Sequence, residues 1–133
     1  MIKPKELEFG DTLGLVAPAS FTSKEKIEKS IETVEKMGFK VKLGESIYQR
    51  YGYLSGKDEI RAKDINEMFK DPEVDGIICL RGGYGTPRIL DLIDYNIIKD
   101  NPKVFIGYSD ITALHIAFNQ ICKLVTFHGP MVS

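Results

Sequence analysis

The chain has 133 residues, of which 43% are hydrophobic and 28% charged, a composition typical of one soluble globular domain with a single core. Eighteen basic and nineteen acidic side chains give a formal net charge of −1, and the lack of a basic excess or cluster argues against a nucleic-acid partner. No apolar run reaches the roughly 20 residues of a membrane span, and the N-terminal stretch MIKPKELEFG lacks the apolar segment of a signal peptide. Cys79 and Cys122 lie inside apolar segments, which predicts buried free thiols in a cytoplasmic protein.

Apolar strands and amphipathic helices alternate along the first part of the chain. TLGLVA (12–17), closed by Pro18, predicts a buried strand. TSKE (22–25) has the spacing of a capping box and predicts the start of a helix that ends at Gly38. FKVKLG (39–44) alternates as a second strand does, so a parallel strand–helix–strand unit is expected.

The same alternation continues through the rest of the chain. A second helix follows a loop rich in tyrosine and glycine, and Ser55 and Asp58 are its candidate caps. GIICL (76–80) predicts a third strand, and Thr86 and Pro87 are the expected N-cap and first residue of a third helix. The last elements predicted are a strand at KVFIG (103–107), a helix from about 110 to 121, and a fifth strand at LVTF (124–127).

This order of elements predicts one α/β domain, doubly wound, with a mainly parallel five-stranded sheet flanked by helices. Ligands of such folds bind beyond the carboxyl ends of the strands. In this chain those ends carry APAS, RGGYG, GYSD and FHGP, which are rich in glycine, proline and small polar residues. The candidate site is therefore this edge of the sheet.

The RGGYG loop (81–85) is the first candidate binding element. Glycines after a buried strand let backbone N–H groups approach a ligand, and such groups can hold a phosphate or an oxyanion. The loop matches neither a Walker A motif nor a dinucleotide fingerprint. A tight turn without chemistry is the alternative, and Arg81 either binds a carboxylate or braces the loop.

Ser109 is the candidate nucleophile. VFIGYSDITALH (104–115) passes from strand to helix through this serine, as a nucleophile elbow does. The N–H of Asp110 would then lie at a helix start and could stabilise an oxyanion. Ile111 occupies the last glycine position of the G-x-S-x-G signature, so the motif is incomplete, and a plain N-cap serine is the alternative.

A serine nucleophile needs a base, and the chain has two histidines. His115 lies six residues beyond Ser109, about 9 Å of helical rise, between Ile111 and Phe118, where we expect a buried core histidine with satisfied hydrogen bonds. His128 follows the fifth predicted strand and serves either as a base or, as we favour, in a structural hydrogen bond. The residues themselves therefore provide no convincing triad.

GDTLGLVAPAS, RGGYG, PKVFIGYSDITALH and TFHGPM, in this order and spacing, resemble the N-terminal domain of the LD-carboxypeptidases over essentially the whole chain. These serine peptidases are also called muramoyltetrapeptide carboxypeptidases, and the microcin C immunity peptidases belong to the same family. The resemblance implies a flavodoxin-like or class I glutamine amidotransferase-like fold. It makes Ser109 the nucleophile and the backbone amides of Gly83 and Asp110 the oxyanion hole. The residues themselves, and not the resemblance, make Arg81 and Tyr84 candidate substrate contacts, with a packing role as the alternative for Tyr84.

The resemblance also implies an activity and its requirements. The family's enzymes are cytoplasmic, metal-independent and usually dimeric, and they release a terminal D-amino acid, typically D-alanine, from murein tetrapeptides in peptidoglycan recycling. The glutamate and histidine of the family's triad come from a C-terminal domain. This sequence stops at HGPMVS, where that domain should begin, so we expect residues 1–133 to be an N-terminal nucleophile domain that is close to inactive alone.

Two other functions stay open. One is an immunity peptidase that cleaves a peptidyl-nucleotide toxin, because the residues that would decide the substrate are expected largely in the absent domain. The other is a non-catalytic α/β module that binds a small ligand through the RGGYG loop. Neither the resemblance nor the residues call for a cofactor.

Overall fold

A computed structural model of the chain describes residues 2–52, 54–80, 85–107 and 111–127, with Thr112 described by its backbone alone. Its strands are β1 (Thr12–Val16), β2 (Lys40–Leu43), β3 (Gly76–Cys79) and β4 (Val104–Ile106). Its α-helices are α1 (Lys24–Lys36), α2 (Asp58–Lys70), α3 (Tyr95–Asp100) and α4 (Thr112–Ile121). Two 3₁₀ helices cover Glu45–Tyr48 and Thr86–Leu92. None of the helices described is long and apolar enough to cross a membrane.

The strands form one parallel sheet in the order β2-β1-β3-β4, which confirms the predicted α/β class. The chain leaves β1 toward β2 on one side and returns to β3 on the other, so the strand order reverses between β1 and β3. Ligands of open α/β sheets bind in the crevice at such a reversal, outside the carboxyl ends of the strands. The loops after β1 and β3 therefore flank the expected binding crevice.

Apolar clusters cover both faces of the sheet, as the continuous apolar strands require. On one face, α1 buries Ile27 and Val34 against β1. On the other face lies the larger cluster, in which Phe69, Phe105 and Phe118 pack ring against ring. The Phe105 and Phe118 centroids are 5.0 Å apart with the rings edge-on, an arrangement that aromatic quadrupoles favour. This packing anchors β4 and α4, the elements on either side of Ser109 in the sequence.

The predicted fifth strand, residues 124–127, is not a strand in the part of the chain that the structure describes. Phe127 makes an isolated parallel bridge to Ile106 at the end of β4, whereas Leu124 bridges Ile2 instead. The segment divides its backbone pairing between two partners and forms no continuous ladder with β4. The prediction of five strands was wrong: among the described residues the sheet has four.

The N-cap of α1 lies one residue after the expected N-cap, Thr22. Ser23 is the N-cap, with its hydroxyl accepting a hydrogen bond from the Lys26 N–H at 3.3 Å, so Thr22 is not. The helix ends just before Gly38, as expected. This glycine has a φ of +96°, a left-handed conformation that is common where helices end.

Neither of the expected caps of α2 caps it. The N-cap position is occupied by Lys57, which makes no side-chain capping bond. The Ser55 hydroxyl donates to the Ser46 carbonyl at 2.6 Å, and Asp58 lies in the first turn, where its carboxylate pairs with Arg61. The carboxylate is still stabilised there because it lies near the positive end of the helix dipole.

The predicted third helix is a 3₁₀ helix followed by a separate short α-helix. Gly85, in the left-handed region with φ +103°, is the N-cap of Thr86–Leu92, so Thr86 is not the cap, while Pro87 lies at the start as expected. The Asp94 carboxylate then accepts the first free N–H groups of α3, a helix that the sequence did not predict. A new cap only two residues after the 3₁₀ helix separates the two elements.

Candidate active site

The described residues surround the candidate site in the sequence, but they do not include the predicted catalytic and binding residues. The strands β1, β3 and β4 are parallel, so the loops that follow them leave the sheet at its carboxyl edge. The predicted site residues lie outside the residues that the structure describes: Arg81, Gly83, Tyr84, Ser109, Asp110 and also His128. What the structure provides is the framework that leads into and out of each loop.

Arg61 on α2 connects the loops that follow β1 and β3. Its guanidinium is fully buried, and its Nη1 donates to the carbonyls of Pro18 at 2.6 Å and Gly85 at 3.1 Å. Its Nε donates to the Gly56 carbonyl at 3.1 Å, and its Nη2 pairs with Asp58. A single cation thus holds together the backbone of three loops at the point where the strand order reverses.

Gly85, the last residue of RGGYG, packs directly on this guanidinium. A Cβ at Gly85 would lie 2.9 Å from Nη1 of Arg61 and 2.3 Å from Cδ2 of Leu54. The φ of +103° is also one that residues with a side chain rarely adopt. Both the space and the backbone conformation require glycine, so the exit of the loop is fixed in position.

The sequence analysis missed Arg61, although the pattern of α2 contains a signal for it. Arg61 precedes the buried Ile65 by four residues and Met68 by seven, so a charged side chain lies on the apolar face of the helix. Arginine is almost never fully buried unless its charge is paired. A charged side chain at that position therefore indicates a buried arginine with hydrogen-bonding partners, and not a solvent-exposed one.

Gly107 and Ile111, the described residues on either side of the turn after β4, lie close together. A Cβ at Gly107 would lie 2.8 Å from Cγ2 of Ile111 and 3.2 Å from Sγ of Cys79. Ile111, the residue before α4, is fully buried, and it packs on Gly107, the residue that follows β4. The isoleucine that breaks the G-x-S-x-G signature therefore packs against a glycine four residues earlier. Ser109 is the central residue of this five-residue passage in the sequence.

Replacing Gly107 by alanine should lower the free energy of unfolding by about 1–3 kcal/mol, because the new methyl group overpacks the contact with Ile111. The measurement is urea denaturation of the chain. In an Ile111→Leu background, which has no Cγ2, the same substitution should cost less, since residues in contact are energetically coupled. Equal costs in the two backgrounds would contradict the proposed contact.

His115 is a buried core histidine, as predicted. It is 1% exposed, and both ring nitrogens have hydrogen-bonding partners. Nε2 lies 2.6 Å from the Gly107 carbonyl oxygen, and Nδ1 lies 2.6 Å from the Thr126 hydroxyl. The histidine therefore contacts both the end of β4 and the segment that leads to His128.

The two cysteines are buried free thiols, as predicted. Burial raises the pKa of Cys79 far above its usual value and also raises the pKa of Cys122, so both remain protonated, poorly nucleophilic thiols. Cys79 serves instead as a packing surface beneath Gly107. Within the described segments, no three His, Cys, Asp or Glu side chains are grouped so that they could hold a metal ion.

Comparison with known proteins gives one consistent result. Residues 13–129 match the model of the LD-carboxypeptidase N-terminal domain. The chain is 49% identical to a probable murein peptide carboxypeptidase of Bacillus subtilis, over 98% of this chain and 41% of that protein. It is 36% identical to the microcin C7 self-immunity protein MccF of Escherichia coli, over 93% of this chain and 37% of that protein.

A solved structure agrees with these sequence matches. The crystal structure of an MccF-like protein from Bacillus anthracis superimposes with a TM-score of 0.94 at 32% identity, covering 99% of this chain and 41% of that one. The chain thus spans about two fifths of the length of the relatives it matches.

Proposed function

The chain belongs to the LD-carboxypeptidase family, and from this premise we propose that it carries the nucleophile of a serine peptidase. Ser109 attacks the carbonyl of an amide between an L-centre and a terminal D-amino acid. The tetrahedral intermediate collapses to an acyl-enzyme and releases D-alanine, and water then hydrolyses the acyl-enzyme. The proposed substrate is a murein tetrapeptide, which the 49% identity to a probable murein peptide carboxypeptidase supports.

The observation that carries the proposal is the close approach of Gly107, which follows β4, and Ile111, which precedes α4. Ile111 packs on Gly107 so closely that a methyl group at Gly107 would be 2.8 Å from its Cγ2. In a nucleophile elbow, a sharp turn from strand to helix exposes the central side chain above the sheet, and the proximity of Gly107 and Ile111 supports such a turn. An ordinary loop that ends in an N-cap serine does not require such close packing between its two ends.

The loop after β3 is proposed to help stabilise the oxyanion and to bind the substrate carboxylate. Backbone amides of Gly83 and Asp110 form the oxyanion hole, and Arg81 binds the carboxylate of the substrate, with Tyr84 beside it. An oxyanion hole works only when its donors are preorganised. The fixed exit of this loop at Gly85, held by the buried Arg61, supports that role.

The base and its orienting carboxylate are proposed to come from elsewhere. The relatives that the chain matches are more than twice its length, and we place the triad's glutamate and histidine in a C-terminal domain that follows residue 133. The complete protein is then a cytoplasmic homodimer. The 133-residue chain retains at most the weak catalysis that substrate binding and an oxyanion hole give without a base.

The test compares the chain with a form extended through the sequence that follows it in its gene, called here the extended protein. Both are assayed for D-alanine release from a tetrapeptide that ends in L-Lys-D-Ala or diaminopimelyl-D-Ala. We expect hydrolysis by the extended protein and almost none by the chain alone. A normal enzymatic rate from the chain alone would contradict the two-domain triad and would make His128 the candidate base. If neither form hydrolyses the peptide while folded, the murein substrate is wrong.

A second candidate function follows from the similarity to MccF. The MccF-like structure superimposes at a TM-score of 0.94, so an immunity peptidase that cleaves a peptidyl-nucleotide uses the same framework. The extended protein should be assayed in parallel against a peptidyl-nucleotide. Turnover of that compound without turnover of the tetrapeptide would decide for this alternative.

A further inference from the structure

His115 joins the two stretches of chain that precede Ser109 and His128. The ring is buried on α4, with Nε2 2.6 Å from the Gly107 carbonyl and Nδ1 2.6 Å from the Thr126 hydroxyl. Gly107 lies two residues before Ser109, and Thr126 lies two residues before His128. One side chain therefore contacts both segments, each two residues before the side chain of interest.

The two contacts determine which nitrogen carries the proton. A carbonyl oxygen only accepts, so Nε2 must donate to Gly107. In a neutral ring Nδ1 is then the acceptor, and the Thr126 hydroxyl donates to it. The ring also packs edge-on to Phe105, with centroids 5.5 Å apart. Hydrogen bonds and packing together fix one tautomer and one orientation.

Gly107 is held through both of its backbone polar groups. Its carbonyl accepts from His115, and its N–H donates to the Phe127 carbonyl at 3.2 Å. The peptide planes before and after this residue are therefore fixed. Since Gly107 ends the strand side of the turn, its orientation determines the direction in which the chain enters the turn toward Ser109.

We propose that His115 is a positioning residue for Ser109; this inference rests on the proposed function, in which Ser109 is the nucleophile. His115 does not act on the substrate. As an Nε2–H donor it fixes the Gly107 carbonyl and so sets the geometry of the turn. A misplacement of about 1 Å at a reacting group costs about a hundredfold in rate, so the effect belongs in kcat and not in KM.

The tautomer can be measured on the 133-residue chain without any activity. Nitrogen-15 NMR distinguishes a ring protonated at Nε2 from one protonated at Nδ1, and a His128→Gln variant assigns the signals because the chain has two histidines. We expect the Nε2–H form, with an Nε2 proton protected from exchange. A ring protonated at Nδ1 alone would overturn the link to Gly107.

Two substitutions then separate the two contacts in the extended protein. Glutamine can place an amide N–H near the position of Nε2 and still reach Gly107, whereas the shorter asparagine reaches only the position of Nδ1. We expect His115→Asn to lower kcat about a hundredfold with KM unchanged, and His115→Gln to retain most of kcat. Hydrolysis that His115→Asn leaves unchanged would overturn the positioning role alone. Absence of hydrolysis by the unaltered extended protein would overturn the proposed function itself.

Thr126 provides a milder variant if His115→Asn does not fold. Thr126→Val removes the hydroxyl that holds Nδ1 and keeps the shape of the side chain. We expect kcat to fall about two- to tenfold, the equivalent of one neutral hydrogen bond, and Thr126→Ser to restore it. A Thr126→Val variant with the kcat of the unaltered protein would count against the positioning role.

Discussion

Replacing Ser109 by alanine in the extended protein is expected to reduce D-alanine release by at least about a thousandfold, as loss of a serine nucleophile does in other peptidases. The free energy of unfolding should change by less than about 0.5 kcal/mol, the usual range for a substitution that removes no structural contact. The two measurements are initial rates on the tetrapeptide and urea denaturation. Together they separate a nucleophile from a serine that only caps a helix.

The chain contains a matched control for this experiment. Ser23 is an exposed N-cap serine whose hydroxyl accepts from the Lys26 N–H, and Ser23→Ala should cost about 1 kcal/mol of stability with no loss of hydrolysis. If Ser109→Ala behaves as Ser23→Ala does, with lower stability and unchanged activity, Ser109 is an N-cap. The non-catalytic binding module then becomes the better description of the chain.

Elements whose own residues carry a clear hydrophobic pattern could be predicted, even where their pairing partners are distant, and β1 and β3, which pair with each other, show why. Each is a short, continuous apolar run, because helices cover both faces of the sheet. The apolar pattern is therefore enough to predict each strand. The helices between the strands predict that neighbouring strands are parallel. The position of the candidate site at the carboxyl edge follows from this order alone.

Elements whose form is set by particular tertiary contacts, and not by their own pattern, could not be predicted. LVTF has the composition of a strand, but Leu124 pairs with Ile2, which lies at the other end of the chain. The 3₁₀ helix at Thr86–Leu92 likewise begins at Gly85, whose carbonyl accepts from Arg61 and which has no room for a side chain beside Leu54. A local pattern contains no information about such partners, so it predicted one strand too many and the wrong helix type.

The two buried polar side chains that support the site differ in the same way. The burial of His115 was predictable from its place between Ile111 and Phe118, but its contact with Thr126 requires the folded chain. Arg61 lies on the buried face of α2, and that much is visible in the sequence. Its carbonyl partners are 5, 24 and 43 residues away, so the network itself is a product of the tertiary structure.

Loss of Arg61 should cost a large part of the stability of the fold. Arg61→Met keeps the length of the side chain but leaves the carbonyls of Pro18, Gly56 and Gly85 without this donor, and each unpaired buried acceptor costs about 1–3 kcal/mol. We expect a loss of about 3–5 kcal/mol in the free energy of unfolding, the range found when one partner of a buried ionic network is removed. Arg61→Lys should recover only part of it, because an ammonium group cannot reproduce the planar fork.

Arg88 is the matched control, since it pairs with the same Asp58 carboxylate from the surface. Its side chain is 58% exposed, and its Nη2 lies 3.2 Å from Asp58, so Arg88→Met should cost less than about 1 kcal/mol. Equal costs at Arg61 and Arg88 would show that the pairing with Asp58, and not the carbonyl network, stabilises the fold. A large cost at Arg61 alone means that Arg61 on α2 holds the loops after β1 and β3 in place.

The same contact predicts an effect on catalysis. Because Gly85 is the last residue of the RGGYG loop, kcat for hydrolysis by the folded Arg61→Lys variant of the extended protein should fall as well.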